Sequence, residues 1–242
     1  MIRQRPFWID PAEPGQTFPD VSLALREPDG LLAVGGDLSP ERLLAAYRRG
    51  IFPWYNDEQP ILWWSPDPRT VLYPAALKVS RSLRKTLNRG VFTVTMDRSF
   101  DAVVGACAAP RAGNSGTWIT REMAAAYGRL HTLGFAHSVE CWREERLVGG
   151  LYGVAIGRAF FGESMFSRES DASKVAFCHL VRQLGAWDFG LIDCQVYSAH
   201  LASLGAEEIP RSRFARCLDI LCDSGQDRQW EFEPNLLLAP WP

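Results

Sequence analysis

From about residue 91 onward, the chain carries a regular succession of strand-like and helix-like patterns. Residues 91–96 alternate apolar and polar side chains, as a strand with one buried face does. Apolar side chains within 100–107 recur at helical spacing, and Thr120 and Gly134 bound a second helix. The later patterns predict strands over 136–142, 147–156 and 158–165, a helix over about 171–185, a strand over 191–197, a short helix near 200–204, a short strand near 206–209 and a last helix through Phe214, Leu218 and Leu221. This mixture predicts an α+β domain.

Residues 1–68 differ from the rest of the chain, because they are rich in Pro, Gly and Trp and contain few periodic runs. One helix is predicted there, with Ser39 as its N-cap, Pro40 at its first position and Gly50 after its end. Residues 51–69 contain four prolines and three tryptophans, which predicts a loop-like layer. We therefore expect a small N-terminal domain over residues 1–68 and a second domain over residues 69–242.

The composition excludes several classes of protein. A chain of 242 residues with 47% hydrophobic and 22% charged residues can bury a core, which excludes global disorder. The net charge of −2 excludes a uniformly basic protein. Neither a run of about 18 apolar residues nor an N-terminal apolar segment occurs, so neither a membrane span nor a signal peptide is expected. Six Cys without a CxxC pair are expected to be buried reduced thiols, and four His without HxxxH or HxH spacing predict no metal site.

Positive charge is concentrated between Asp67 and Asp97, where the chain has no acidic residue. The cations of this stretch are Arg69, Lys78, Arg81, Arg84, Lys85 and Arg89. A helix over 78–89 would place Lys78, Arg81, Lys85 and Arg89 within an arc of about 80°. Such a face could bind several phosphates of a nucleic acid with a strong dependence on salt. An ordinary solvated helix face is the alternative.

Two carboxylates occur inside apolar strand-like runs. Asp193 is two residues before Gln195, so the two side chains share one face of a regular strand. A buried Asp is costly unless it is paired or used, and a structural Asp bonded to backbone groups is the alternative to a catalytic one. Glu163 lies among the apolar side chains of 160–166. It could bind a cationic amine, or it could pair with Arg168.

The order of elements after residue 90 resembles that of GNAT-like (N-acetyltransferase-like) domains, although a fold alone does not decide function. Acetyl-CoA-dependent members cradle a pyrophosphate with a glycine-rich loop, whereas residues 166–174, FSRESDASK, contain no Gly. The chain also lacks a GxSxG, a GxxxxGKS/T and a Rossmann fingerprint. Use of coenzyme A or ATP is therefore disfavoured. An acyl-CoA-dependent N-acetyltransferase and a non-enzymatic RNA- or peptide-binding module are kept as alternative functions.

Long segments of the chain are informative together. They are LREPDGLLAVGGDLSPERLLAAYRRGIFPWY (25–55), ILWWSPDPR (61–69), GTWIT (116–120), LVGGLYGVAIG (147–157), FFGESMFSR (160–168), ASK (172–174) and LIDCQV with HLASLGAEEIPR (191–211). In this order, over about residues 18–213, they resemble leucyl/phenylalanyl-tRNA–protein transferases. The resemblance implies a small N-terminal domain followed by a GNAT-like mixed-sheet catalytic domain.

The activity implied by the resemblance is that of a bacterial cytoplasmic aminoacyltransferase. It would move Leu or Phe, and less readily Met, from aminoacyl-tRNA to the α-amino group of proteins that begin with Arg or Lys. The modified proteins are thereby marked for degradation. No metal, ATP or coenzyme is implied, and a monomer is expected.

The resemblance also implies roles for individual residues. Asp193 and Gln195 are the expected catalytic pair. Asp193 would act on the attacking amine directly or orient Gln195, and Gln195 would polarise the attacking amine. In the alternative mechanism a ribose hydroxyl of the tRNA shuttles the proton, and these side chains only position groups. Glu163 would bind the amino group of the acyl residue or the basic N-terminus. The remaining expected residues are Trp54, Trp118 and Tyr127 around the 3′ adenosine and its amino acid, Leu151, Phe160 and Met165 in an apolar pocket, and Lys78, Arg81, Arg84, Lys85 and Arg89 on the tRNA phosphates.

Overall fold

The structure, a computed structural model, describes residues 5–13, 15–109, 119–223 and 229–242. Its strands form two sheets, one of four strands within residues 7–64 and one of seven strands within residues 69–209. Helices cover both faces of the larger sheet, which contains parallel and antiparallel pairs. This arrangement confirms the α+β fold class predicted from the sequence.

The smaller sheet has the strand order β1-β2-β4-β3. Its elements are β1 (Phe7–Ile9), β2 (Leu31–Gly35), α1 (Pro40–Arg48), β3 (Phe52–Pro53) and β4 (Leu62–Trp64). The predicted helix is confirmed as α1, because the Ser39 hydroxyl accepts a hydrogen bond from the Arg42 N–H. Gly50 follows the helix with a φ of 70°, a left-handed conformation that glycine adopts without strain.

The prediction of a loop-like layer over residues 51–69 is wrong in part, since β3 and β4 lie in that stretch. Trp63 on β4 is fully buried and donates its indole N–H to the Gly35 carbonyl at 2.9 Å. Pro53 lies on the edge strand β3, a position where a missing N–H is tolerated. Strands of two or three residues are too short to produce an alternating pattern, which is why the sequence did not reveal them.

The larger sheet has the strand order β11-β5-β10-β9-β8-β7-β6. Its strands are β5 (Arg69–Leu72), β6 (Thr93–Met96), β7 (Ala136–Arg143), β8 (Arg146–Ile156), β9 (Ala159–Ser167), β10 (Leu191–Gln195) and β11 (Glu207–Ile209). The helices are α2 (Arg81–Arg89), α3 (Phe100–Ala108), α4 (Arg121–Thr132), α5 (Ala172–Ala186), α6 (Ala199–Ser203), α7 (Arg211–Leu221) and α8 (Pro234–Leu238). The order from β6 to α7 is confirmed, whereas β5 and α8 were not predicted.

The predicted helix over 78–89 starts later than expected. The Ser80 hydroxyl accepts a hydrogen bond from the Leu83 N–H, so Ser80 caps α2 and the helix begins at Arg81. Lys78 therefore precedes α2. The sequence pattern had predicted that Lys78 lies on the face of this helix, and that prediction is wrong.

The neighbouring strands β9 and β10 separate part of the way along the sheet. They pair in parallel only from Leu191 and Ala159 to Asp193 and Phe161. Each strand then departs from regular register: Glu163 is an extra residue of β9 against β8, and Cys194 is an extra residue of β10 against β5. Such β-bulges bend a strand and re-aim its side chains. The two bulges separate β9 from β10 beyond Phe161 and Asp193, which opens the sheet there.

One hydrophobic cluster joins the two sheets. It contains Tyr47 and Trp63 from the N-terminal part and Val71, Tyr127 and Phe161 from the larger unit. A second cluster lies between α5 and the opposite face of the larger sheet. All six cysteines are free thiols, four of them buried and two partly buried. Among the described residues, no helix is long and apolar enough to cross a membrane.

Candidate active site

The separation of β9 and β10 opens a cleft with a volume of about 870 Å³. Seven of the residues singled out in the sequence line it: Trp54, Leu151, Phe160, Glu163, Met165, Asp193 and Gln195. Trp54 is 46% exposed. The structure therefore brings together residues that are up to about 140 positions apart in the chain.

Two other predicted residues are placed differently. Tyr127 is fully buried within the core and hydrogen-bonds to Glu163, so it supports the site from beneath instead of lining the cleft. Its position on the inward face of α4 explains this burial. Trp118 lies outside the described residues.

Glu163 borders the cleft and is 8% exposed. Its Oε1 accepts hydrogen bonds from the Tyr47 hydroxyl at 2.7 Å and from Gln195 Nε2 at 3.1 Å. Its Oε2 accepts a hydrogen bond from the Tyr127 hydroxyl at 2.6 Å. Burial raises the pKa of Glu163 to about 7, against the lowering effect of the two tyrosine hydrogen bonds. A carboxyl group with this pKa can change its charge near neutral pH.

The alternative partner suggested for Glu163 is engaged elsewhere. The Arg168 guanidinium lies on the ring of Phe166 and donates a hydrogen bond to the Leu147 carbonyl at 3.1 Å. In the part of the chain that the structure describes, the hydrogen-bond partners of Glu163 are the neutral donors Tyr47, Tyr127 and Gln195. A buried carboxylate without a paired cation favours binding of a positively charged ligand.

Asp193 has the opposite environment. Arg69 donates from Nε and Nη2 to its two carboxylate oxygens at 2.8 and 2.6 Å, and both side chains are almost completely buried. The guanidinium lies between the rings of Phe52 and Phe214, at 4.8 and 4.7 Å from their centroids. Although Asp193 borders the cleft, its side chain is 0% exposed and both carboxylate oxygens are held by Arg69, so its carboxylate is not free to bind a substrate. Of the two roles expected for it, orientation of Gln195 is the one that this geometry permits.

Gln195 follows the bulge of β10 and has a φ of 63°, a conformation that costs energy for a residue with a side chain. Asp193 Oδ1 accepts a hydrogen bond from the Gln195 N–H at 2.9 Å, which stabilises this conformation. The Gln195 side chain is thereby directed to Glu163. The strand alternation that placed Asp193 and Gln195 on a common face is interrupted by the bulge.

Two residues of the site were missed in the sequence. Arg69 was counted only as a cation of the basic stretch, although it ends the segment ILWWSPDPR. Tyr47 lies within the predicted first helix and was not singled out. Both hold the cleft carboxyls through contacts more than 100 positions apart, and no local pattern signals such pairs.

Two family models match the chain over nearly all of residues 36–219. The model described as leucyl/phenylalanyl-tRNA protein transferase matches residues 71–219, and the model of its N-terminal domain matches residues 36–67. Curated proteins named leucyl/phenylalanyl-tRNA–protein transferase match as well. The one from Nitrosomonas europaea is 62% identical over 89% of this chain and 92% of its own length. The one from Aromatoleum aromaticum is 65% identical over 81% of this chain and 83% of its own length.

The chain belongs to the leucyl/phenylalanyl-tRNA protein transferase family. This confirms the resemblance and the enzyme class, an aminoacyltransferase, that were predicted from the sequence. Two solved structures match this transferase at low similarity. L-PGS from Bacillus licheniformis is 11% identical with a TM-score of 0.38, over 71% of this chain and 57% of its own. A GCN5-related N-acetyltransferase from Kribbella flavida is 12% identical with a TM-score of 0.33, over 71% and 61%. TM-scores this low decide nothing.

The basic helix of this transferase is available for a ligand. Its exposed cations are Arg81, Arg84, Lys85 and Arg89, and Lys78 is exposed just before it. No salt bridge joins any of the five to an acidic residue in the described part of the chain. The Thr86 hydroxyl contacts Asp171 Oδ2 at 3.4 Å, beside the N-terminus of α5. Ser173 of α5 lines the cleft, so the basic helix is close to one end of it.

Asp97, His131 and His137 of this transferase bring three possible metal ligands within 4.8 Å of one another. Hydrogen bonds account for the cluster. His137 Nδ1 lies 2.7 Å from Asp97 Oδ2 and its Nε2 lies 3.1 Å from the Gly134 carbonyl. His131 Nδ1 bonds to the Ala136 carbonyl at 2.8 Å. These contacts engage both nitrogens of His137 and Nδ1 of His131 within the protein, which accounts for the cluster without a metal ion.

Proposed function

We propose that this transferase moves Leu or Phe, and less readily Met, from aminoacyl-tRNA to the α-amino group of proteins that begin with Arg or Lys, marking them for degradation. We place the reaction in the cleft between β9 and β10, with a monomer acting in the cytoplasm and without a metal or coenzyme. The observation that carries the proposal is Glu163, a buried carboxyl with a pKa near 7 beside Gln195 in a largely apolar cleft. Such a site suits an apolar acyl group that bears an amine.

The reaction is the aminolysis of an ester. The neutral α-amine attacks the acyl carbonyl carbon, a C–N bond forms, and the bond from that carbon to the ribose oxygen breaks. The amine loses a proton and the ribose oxygen gains one, so the net reaction needs no external acid or oxidant. Holding the two substrates in this geometry supplies a large share of the rate.

Glu163 and Gln195 act on the reacting groups in this proposal. The Glu163 carboxylate binds the amino group of the acyl residue or of the incoming N-terminus. An incoming amine that arrives protonated gives its extra proton to this carboxylate and then attacks in its neutral form. Gln195 keeps one amide N–H on Glu163 and uses Oε1 to accept a hydrogen bond from the attacking amine. Arg69 and Asp193 are positioning residues that hold Gln195. The proton passes either through these groups or through a tRNA hydroxyl.

The apolar wall selects the acyl group. Leu151, Phe160 and Met165 offer no polar partner, so a charged side chain of the donor would lose its hydration without compensation. Apolar side chains of similar size differ by only about 1–3 kcal/mol in such a pocket. Discrimination against Met is therefore weaker than discrimination against polar residues.

A transfer assay tests the proposal. Purified protein is mixed with radiolabelled Leu-tRNA and a protein that begins with Arg, without ATP or coenzyme A, and the same protein beginning with Gly serves as the acceptor control. Label on the Arg-initiated protein alone is the expected result. Absence of label with intact Leu-tRNA and a folded enzyme would contradict it, and acetyl transfer from acetyl-CoA in a parallel reaction would favour the alternative acetyltransferase function.

Glu163→Gln tests the site within the same assay. Glutamine keeps one acceptor oxygen for a tyrosine hydroxyl, and its amide N–H can donate to the oxygen of the other, so the variant is expected to fold and to transfer about 100-fold more slowly or worse. Glu208→Gln, at an exposed position on β11, is the matched control and should behave as wild type. Full activity of a folded Glu163→Gln protein would remove Glu163 from the mechanism.

A further inference from the structure

The last described segment, residues 229–242, packs beside a wall of the cleft, and we call it the C-terminal strap. The ring centroid of its Trp230 is 6.1 Å from that of Phe160, which lines the cleft. Trp230 also meets Trp187 at 5.3 Å and Phe189 at 6.2 Å in edge-to-face contacts. Trp230 does not line the cleft, so it supports Phe160 from behind.

A fixed histidine holds Trp230 on its other side. The rings of His137 and Trp230 are stacked with centroids 3.7 Å apart and planes 7° from parallel. His137 is itself held by Asp97 on Nδ1 and by the Gly134 carbonyl on Nε2. The position of Trp230 is therefore set by a rigid neighbour on β7.

The strap is anchored at several further points. Gln183 of α5 donates to the Glu233 carboxylate at 3.0 Å and accepts from the Glu233 N–H at 2.8 Å. The Arg182 guanidinium lies 3.3 Å from the centroid of the Trp241 ring. Asn88 of the basic helix α2 bonds to both the N–H and the carbonyl of Trp241. These bonds fix the strap on α5 and α2.

Phe160 is confined between the strap and β8. It is 1% exposed, and a Cβ atom placed on Gly153 of β8 would lie 2.6 Å from its Cζ atom. The ring cannot retreat toward β8, and Trp230 blocks retreat on the other side. We propose that the strap, through Trp230, sets the depth of the acyl pocket and hence the preference among Leu, Phe and Met. This inference rests on the proposed function. The strap lies outside the match to the family model, which ends at residue 219.

Trp230→Ala tests the inference through the ratio of kcat/KM for Phe-tRNA to kcat/KM for Leu-tRNA. Removal of the indole leaves space behind Phe160, so the Phe160 ring can move back and the pocket becomes deeper. The kcat/KM for the larger donor, Phe-tRNA, is then expected to rise relative to that for Leu-tRNA. The ratio is expected to rise about 3- to 10-fold over wild type. Trp230→Phe, which keeps an aromatic contact, should give a smaller rise. Leu238→Ala, in the same strap and 82% exposed, is the matched control and should leave the ratio unchanged.

A ratio of donors separates this role from a general loss of structure, because partial unfolding lowers both values equally. A ratio that stays near the wild-type value in a folded Trp230→Ala protein would overturn the inference. If Trp230→Ala does not fold, Trp230→Phe decides by the same criterion. If the wild-type protein transfers neither residue, the proposed function has failed, and that result is distinct from an unchanged ratio.

Discussion

At the residue scale, the chemistry of the cleft follows from two buried carboxyls with different neighbours. Asp193 faces the guanidinium of Arg69, which compensates its charge in the core. Burial raises the pKa of Glu163, and the hydrogen bonds from the neutral tyrosine hydroxyls offset this rise only in part. Asp193 is therefore suited to hold geometry, and Glu163 is suited to bind a cation or to exchange a proton.

The raised pKa of Glu163 predicts a pH-dependent stability. In the unfolded chain the group ionises near 4.5, whereas in the folded protein it keeps its proton up to about 7. Between these values the folded state binds more protons, so the free energy of unfolding falls as the pH rises, by about 3 kcal/mol from this group. Glu163→Gln should lack this fall. Urea denaturation of both proteins at pH 4.5 and 7.5 measures the difference, and parallel pH profiles would contradict the raised pKa.

The buried pair predicts that stability and activity can be separated. Asp193→Asn leaves the Arg69 charge unpaired in the core and should cost about 3–5 kcal/mol of unfolding free energy. The double variant Arg69→Met with Asp193→Leu removes both charges and should recover most of that loss. Transfer should remain slow in the double variant, because the Gln195 N–H has lost its acceptor. Urea denaturation and single-turnover rates measure the two effects, and a double variant as fast as wild type would show that Asp193 does not position Gln195.

Sequence patterns located these residues but not their roles. Period-two spacing indicated that Asp193 and Gln195 belong together, and an Asp in an apolar strand indicated a pairing or a function. The bulges that direct Gln195 to Glu163 leave no signal in one sequence. The partner Arg69 is 124 positions away from Asp193, a distance that no local pattern spans.

At the element scale, α2 predicts a salt-dependent contact with tRNA. Charge reversal of Arg81, Arg84 and Lys85 together should weaken binding and reduce the slope of log affinity against log salt by about 2 to 3, which corresponds to three lost phosphate contacts. The side chains are exposed, so the fold should be unaffected. Titration of labelled tRNA at several salt concentrations measures the slope. The control is the double variant Arg213→Glu with Arg216→Glu, which changes two exposed positions on α7 and should keep the wild-type slope. An unchanged slope in the α2 variant would refute the contact between α2 and tRNA.

Helices and long strands were predictable because each carries its own signals. Ser39 and Thr120 cap their helices as predicted, and the alternation in 136–165 marked three strands of the larger sheet. The cap at Ser80 was not predicted, and the start of α2 was placed too early. The short strands β3, β4 and β5 depend on partners from distant parts of the chain. Their residues are chosen for packing and for contacts such as the Trp63 hydrogen bond, so their strand structure is set by tertiary context.

At the scale of the whole molecule, the N-terminal part completes the site of the larger unit. Tyr47 contributes the donor to Glu163, and Phe52 covers the Arg69 guanidinium. Phe214 of α7, in the larger unit, packs in turn against Gly50 of the N-terminal part. The contact is so close that a Cβ atom on Gly50 would lie 2.7 Å from the Phe214 ring. The two sheets therefore share both a core and the cleft in which we place the reaction.

This shared core predicts one cooperative unfolding transition in spite of the two sheets. Separation of the sheets would expose Tyr47, Trp63, Val71, Tyr127 and Phe161 and leave the Glu163 carboxyl without one of its donors. Partial unfolding is thus costly, and far-UV circular dichroism and tryptophan fluorescence should give coincident denaturation curves, with equal van't Hoff and calorimetric enthalpies. A fragment of residues 69–242 should fail to reach this folded state. Two resolved transitions, or a folded and cooperative fragment, would show that the sheets are independent and that the site forms only when they dock.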